Sequence, residues 1–162
     1  PIGEGQTISQ PYTVAYQTQL LQVKMGDKIL EVGTGSAYQA TVLAEMGARV
    51  YTIERQKKLF DFRQKNYQFA GRYRSINFIY GDGFAGLPTI APFDKIIVTA
   101  AAPYIPPRLI EQIKTGGIMV IPVDDATGNQ RMLRLTKRAD GSYNEEVFDY
   151  FSFVPMLGGK KN

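Results

Sequence analysis

The chain of 162 residues contains no cysteine and no histidine. The first absence excludes disulfides and thiol chemistry, although it does not by itself fix a compartment. The second removes the side chain that most often moves protons near neutral pH. Together they exclude a Ser-His-Asp triad, a cysteine nucleophile and a conventional zinc site, so no metal is expected. A general base would have to be a shifted carboxylate, a lysine or a tyrosine. The simplest alternative is a reaction that needs no base, because its acceptor is already an anion. No run approaches the ~20 apolar residues of a membrane span, and no signal-peptide pattern opens the chain. The cytoplasm is therefore the expected compartment, with no membrane partner. Repeats and low-complexity tracts are missing too.

What is present is the composition of an ordinary globule, 44% hydrophobic and 21% charged, in a chain long enough to bury a real core. The net charge of +4 is modest. Lys57, Lys58, Arg63, Lys65, Arg72 and Arg74 cluster on and after one predicted helix, and charges so placed read as its solvated face. Tyr67, Phe69 and Tyr73 among them permit a nucleic-acid surface without requiring it. No nucleic-acid partner is expected.

The most informative stretch is Lys28–Glu54, KILEVGTGSAYQATVLAEMGARVYTIE. Lys28–Val32 is a short apolar, β-branched run, as in a strand buried on both faces. It ends in Gly33-Thr34-Gly35-Ser36, where glycine allows a tight turn and close approach of backbone to ligand. Ala40, Leu43, Ala44 and Gly47 follow at helical spacing, with Gly47 as C-cap. Arg49–Ile53 is a second strand, and Glu54 at its end stands ~20 residues after the glycines, where such folds place the acid that accepts from a ribose diol. The third position of a dinucleotide fingerprint is Tyr38 rather than glycine, and no G-x-x-x-x-G-K-[ST] occurs, so dinucleotide and P-loop readings fail. The form Glu31-Val32-Gly33-Thr34-Gly35 resembles motif I of the S-adenosylmethionine-dependent methyltransferases. Taken alone it is only a glycine turn; Glu54 at the right distance favours a cofactor.

Elsewhere the pattern predicts a helix over Pro11–Val23 with Tyr12, Tyr16, Leu20 and Val23 on one face, and another over Gln56–Ala70. Ile76–Tyr80, Lys95–Thr99 and Ile118–Val123 are predicted strands. Leu109, Ile110 and Ile113 suit a short helix ending near Gly116-Gly117. Arg131–Arg138 and Tyr143–Val154 are strand-like, joined by Ala139-Asp140-Gly141-Ser142, a hairpin signal. The expected fold is α/β and Rossmann-like: a mostly parallel sheet closed by a C-terminal antiparallel hairpin, with helices on both faces.

Pro1–Pro11, PIGEGQTISQP, resembles the signature segment of the protein-L-isoaspartate O-methyltransferases. The likeness continues through Glu31–Ala40, GDG at Gly81–Gly83, PFDKIIVTAAAPYIP at Pro92–Pro106, GGIMVIPV at Gly116–Val123, Gly128-Asn129-Gln130, and FVPMLGG at Phe153–Gly159. These motifs cover most of the chain in the family order. The resemblance implies methyl transfer from S-adenosylmethionine to the free carboxylate of L-isoaspartyl residues in damaged proteins and peptides, the partners of such an enzyme. The ester would then collapse to a succinimide that can reopen to aspartate, and an ionised carboxylate as nucleophile agrees with the missing bases. By the same resemblance, Ser9 orients the acceptor carboxylate as the catalytic-site serine; its structural alternative is an N-cap for the helix entering at Pro11. Gln6, Thr7, Ile8, Gly33, Gly35, Ser36, Glu54, Asp82 and Gly83 match cofactor-contacting positions. Asp82-Gly83 otherwise reads as a plain turn. Ala101, Ala102 and Pro103, after the fourth strand, match the wall of the acceptor site.

Two rival functions stand beside this one. The chain could methylate another acceptor, RNA or a small molecule, but Thr99-Ala-Ala-Ala-Pro103 occupies the place where base methylases carry Asn/Asp-Pro-Pro-Tyr. It could also be a cofactor-binding module without catalysis, against which Ser9, Glu54 and Asp82 argue. Two features depart from the family. A helical segment usually precedes the Pro-Ile-Gly motif, so the expectation is a single domain over 1–162 without it. Ala37 stands where the family often has glycine, which is costly if φ there is positive.

Overall fold

Ile29, Leu30 and Val32 in one short run, and Ile96, Ile97 and Val98 in another, offer no polar face to water, so their strands must be covered on both sides. In the computed structural model, which describes residues 10–162, all six are buried at the centre of one sheet. Its strands are β1 (Lys28–Val32), β2 (Arg49–Glu54), β3 (Ile76–Tyr80), β4 (Phe93–Val98), β5 (Ile113–Asp124), β6 (Gln130–Lys137) and β7 (Tyr143–Phe151), in the order β3-β2-β1-β4-β5-β6-β7. The first five run parallel, and β6 and β7 are antiparallel additions at one edge. The order reverses between β1 and β4, and a crevice forms beyond the strand ends at such a switch point.

Four helices accompany the strands: α1 (Pro11–Leu21), α2 (Tyr38–Glu45), α3 (Lys57–Asn66) and α4 (Pro107–Glu111). Leu21 of α1 and Ala40, Leu43 and Ala44 of α2 pack on one face of the sheet with Val50, Ile97 and Val120. Leu109 of α4 and the turns carrying Phe84, Leu87 and Ile90 pack on the other with Leu30, Ile96 and Ile121. Gly47 closes α2 at φ +90°, donating to Ala44 O at 3.0 Å. Gly141 takes φ +87° in the β6–β7 turn, where Ser142 N donates to the Asp140 carboxylate at 2.9 Å.

Three elements differ from the sequence expectation. The fully buried residues of α1 are Val14, Gln17, Thr18 and Leu21; of the expected Tyr12–Tyr16–Leu20–Val23 stripe, Tyr16, Leu20 and Val23 pack half-buried against the same core and Tyr12 is exposed. Hydrogen bonds reverse the preference: Gln17 Nε2 donates to Val98 O at 3.0 Å and Thr18 Oγ1 to Val14 O at 2.7 Å, so two polar side chains enter the core satisfied at those atoms. The third helix stops at Asn66. The helix before β5 spans Pro107–Glu111, and Ile113 instead opens β5 opposite Phe93; the register then jumps to Lys95–Ile118, with Gly116 at φ +80° inside the irregular stretch.

Candidate active site

Where β1 ends, the chain must turn within two residues and leave room above the sheet. Gly33 does so at φ +102°, and a Cβ there would stand 2.6 Å from Thr99 Oγ1. That hydroxyl donates to Gly33 O at 2.8 Å, locking the turn to the end of β4. Gly33 N and Thr34 N both donate to Ile53 O, at 2.9 and 3.2 Å, which fixes the turn to β2 as well. Gly35 follows at φ +51°. Its N–H donates to Glu54 Oε1 at 3.2 Å, and its carbonyl accepts from Arg63 Nε at 3.1 Å. Both backbone polar groups of Gly35 are therefore held, one by each side chain.

Glu54 is only 6% exposed, and its second oxygen accepts from Gln56 N at 2.9 Å. Glu31 lies deeper, fully buried. Its Oε1 accepts from Thr52 Oγ1 at 2.6 Å, and Thr52 shares a second 2.6 Å hydrogen bond with Thr34. Its Oε2 has no hydrogen-bond partner among the described residues. Burial drives the Glu31 carboxyl up to about 8; the Thr52 hydroxyl opposes this and the Glu54 charge reinforces it. Gly83 approaches from the far side so closely that a Cβ would meet Val32 Cγ1 at 2.3 Å, while the Asp82 carboxylate accepts from Phe84 N at 3.0 Å.

These groups line one cleft, with about 860 Å³ of space that is partly open to solvent. Val14 of α1 and Gln39 of α2 stand at one side, and Arg55 and Gln56 beyond Glu54. The segment after β7 supplies a wall, Val154–Leu157. It is tied at two points: Ala101 N donates to Val154 O at 2.8 Å and Met156 N to Ala101 O at 2.7 Å, and farther on Lys161 N donates to Arg55 O at 2.7 Å.

Of the residues singled out in the sequence, Gly33, Gly35, Ser36, Glu54 and Gly83 come together around this cleft. Asp82 adjoins it without lining it. Ala101 and Ala102 are buried and pair with Pro155 and Val123, Pro103 is exposed, and Ala100 lines the cleft in their stead. Gln6, Thr7, Ile8 and Ser9 lie outside the described residues. Sequence reasoning missed the grip of Arg63 on Gly35, which looks in sequence like any helix-surface cation. It also missed the buried state of Glu31, signalled only by its place before the glycines, and the contribution of Val154–Leu157. Ala37 has φ +67°, so its Cβ sits in the left-handed region. Among the described residues no cluster of acids could hold a metal, and no helix is long and apolar enough to cross a membrane.

The cleft suits S-adenosylmethionine by its own chemistry. Glu54 offers acceptor capacity to a diol, Glu31 lines the cleft with one buried oxygen unpartnered among the described residues, and glycines stand at Gly33 and Gly83. The family model for protein-L-isoaspartate(D-aspartate) O-methyltransferase matches residues 1–161. The chain is 53% identical over 158 residues to the protein-L-isoaspartate O-methyltransferase of Cytophaga hutchinsonii, covering 98% of this chain and 70% of that protein. With the Flavobacterium psychrophilum protein of the same name the identity is 51%, covering 99% and 74%. A solved protein-L-isoaspartate O-methyltransferase superposes with TM-score 0.88 at 25% identity, covering 99% of this chain and 51% of that one. A Plasmodium falciparum protein solved with S-adenosyl-L-homocysteine superposes at TM-score 0.80 and 24% identity, covering 97% and 78%, which speaks for the fold.

Proposed function

This chain belongs to the protein-L-isoaspartate(D-aspartate) O-methyltransferase family, and from that premise we propose how its residues carry out repair of isoaspartyl proteins and peptides. The observation that carries the reading is the Gly35–Glu54 contact: a buried carboxylate fixed to the glycine turn by a 3.2 Å hydrogen bond. When bound, S-adenosylmethionine supplies an electrophilic methyl group on a sulfonium. Glu54 receives the ribose hydroxyls, and its bonds to Gly35 N and Gln56 N hold it in place beforehand. Gly33, Gly35 and Ser36 would hold the methionine end, with Gly83 on the adenine side. Gln6, Thr7 and Ile8 would contact the cofactor in this reading.

Ser9 orients the acceptor carboxylate and is not itself a nucleophile. Ala101, Ala102 and Pro103 belong to the acceptor side, where Ala101 holds the tail wall, Ala102 is tied to β5 and Ala100 faces the cleft. No base is required, because the isoaspartyl carboxylate is ionised at neutral pH. Alignment and exclusion of water lower the barrier, and Val154–Leu157 contribute to both. We place the enzyme in the cytoplasm, as one domain carrying both cofactor and acceptor sites.

The test is incubation with labelled S-adenosylmethionine and paired peptides that differ only in an isoaspartyl or an aspartyl linkage. Label is expected on the isoaspartyl peptide alone, in a base-labile ester. Equal labelling of both peptides, or labelling of RNA only, would overturn the reading.

A further inference from the structure

Beside the glycine turn, where Ser36 and Tyr38 line both it and the cofactor cleft, α2 and α3 leave a groove with about 970 Å³ of open space. Tyr38, Phe62, Tyr67 and Phe69 line it. Three of these rings stand well out of the core: Phe62 is 51% exposed, Tyr38 43% and Phe69 40%. Aromatic surface collected in a concavity, rather than scattered, marks a binding site. Its charge has one sign. Among the described residues no acidic side chain lines the groove, and the one ionised side chain is Arg63. The helix that supplies Arg63 carries Lys57, Lys58 and Lys65 as well, against Asp61.

Arg63 is itself half-used. Nε donates to Gly35 O at 3.1 Å, and the guanidinium lies 4.9 Å from the centre of the Phe62 ring. Its two Nη atoms make no hydrogen bond or ion pair with any described residue. A planar guanidinium with one edge occupied presents the other as a two-toothed fork, which matches a carboxylate.

We propose that the α2–α3 groove binds a small aromatic carboxylate, its ring among Phe62, Tyr67 and Phe69 and its carboxylate on the Nη atoms of Arg63. Neither half of that ligand would suffice. A simple anion leaves the rings in water, and a neutral aromatic leaves the fork without an acceptor. The site also has a line to the cofactor. Arg63 grips the carbonyl of Gly35, the same residue whose N–H is held by Glu54. A ligand that immobilises the guanidinium therefore stiffens the glycine turn, and cofactor affinity rises. By linkage the cofactor must tighten the carboxylate by the same factor.

Benzoate is the probe, titrated into the cofactor-free protein and followed by amide chemical shifts, with benzyl alcohol and acetate as the ring-only and charge-only controls. Benzoate is expected to bind with a dissociation constant of about 1–10 mM, as befits so small a ligand. Its shifts should centre on the groove, and both controls should bind at least tenfold more weakly. Arg63→Gln should weaken benzoate by tenfold or more, and Phe69→Ala severalfold. Saturating S-adenosylmethionine should tighten benzoate about fivefold. Benzoate no tighter than acetate, shifts centred elsewhere, or a benzoate affinity untouched by Arg63→Gln in a folded variant would overturn the site. Equal binding of benzyl alcohol would overturn the carboxylate, and a benzoate affinity indifferent to the cofactor would overturn the coupling. The wild-type comparisons need no variant to fold, and none of these readings depends on methyl transfer.

Discussion

At the scale of single residues, two glutamates about the same cleft behave oppositely. Glu54 has two backbone N–H partners, whereas Glu31 is buried with one oxygen unmet among the described residues. Removing Glu54 as Glu54→Ala takes away a charge-assisted acceptor worth ~1.5–3 kcal/mol, so calorimetry should find S-adenosylmethionine bound roughly ten- to a hundredfold more weakly. The melting temperature should drop too, because Gly35 N and Gln56 N lose their partner. For Glu31 the sign follows from its carboxyl standing at about 8 in the folded protein against 4.5 ordinarily. The folded state keeps the proton where the unfolded chain has lost it. Stability from this group is therefore fully present below about pH 4.5 and is lost as pH rises through about 8. In the cofactor-free protein Glu31→Gln should flatten that fall in a series of thermal melts between pH 5 and 9. A positively charged cofactor favours ionised Glu31, so wild-type binding near neutral pH should release a proton. Calorimetry in buffers of different ionisation enthalpy measures it, and the release should vanish in Glu31→Gln. Glu54 could be read from its distance to the glycines. The state of Glu31 could not, since it depends on what the fold packs around it.

At the scale of elements, α2 begins under strain. Ala37 at φ +67° is almost fully buried, and its carbonyl accepts from Thr41 N at 2.9 Å and Thr41 Oγ1 at 2.7 Å, which holds the helix start in place. Left-handed geometry costs an L-residue ~1–2 kcal/mol. Glycine would relieve that but would lose a buried methyl of ~0.8 kcal/mol and add ~0.4–1 kcal/mol of unfolded-state freedom. Ala37→Gly is thus expected to leave stability within ~1 kcal/mol of wild type. Ala37→Val, β-branched at positive φ, should cost at least ~2 kcal/mol. Denaturant midpoints at unchanged m-value distinguish these outcomes. The strands were legible because their runs are apolar on both faces, and the last hairpin because Asp140-Gly141 demands a turn. The buried face of α1 was not, because the partner that admits Gln17 is Val98, a strand away in space and far along the chain. The start of β5 was misplaced for a similar reason: only Phe93 across the sheet makes Ile113 a strand residue.

At the scale of the molecule, the cleft draws on distant parts of the chain: Val14 from α1, the glycine turn and Glu54 from the first half, Val154–Leu157 from beyond β7. Sequence could locate the glycine turn and match Phe153–Gly159 to the family, but the role of Val154–Leu157 as a wall shows only in the pairing of Pro155 with Ala101. Removing residues after Phe153 should spare the seven strands and their far-ultraviolet signal, while S-adenosylmethionine affinity falls at least tenfold. A variant so shortened that bound the cofactor normally would show the wall to be dispensable. The tail has a further consequence in time. A ribosome delivers the sheet first and Val154–Leu157 only after every strand has been made. A nascent chain can therefore have its strands paired and still be unable to close on the cofactor. Competence to bind arrives only when the tail reaches back past Ala101 to Arg55, so a growing chain cannot sequester the methyl donor while its sheet alone has formed.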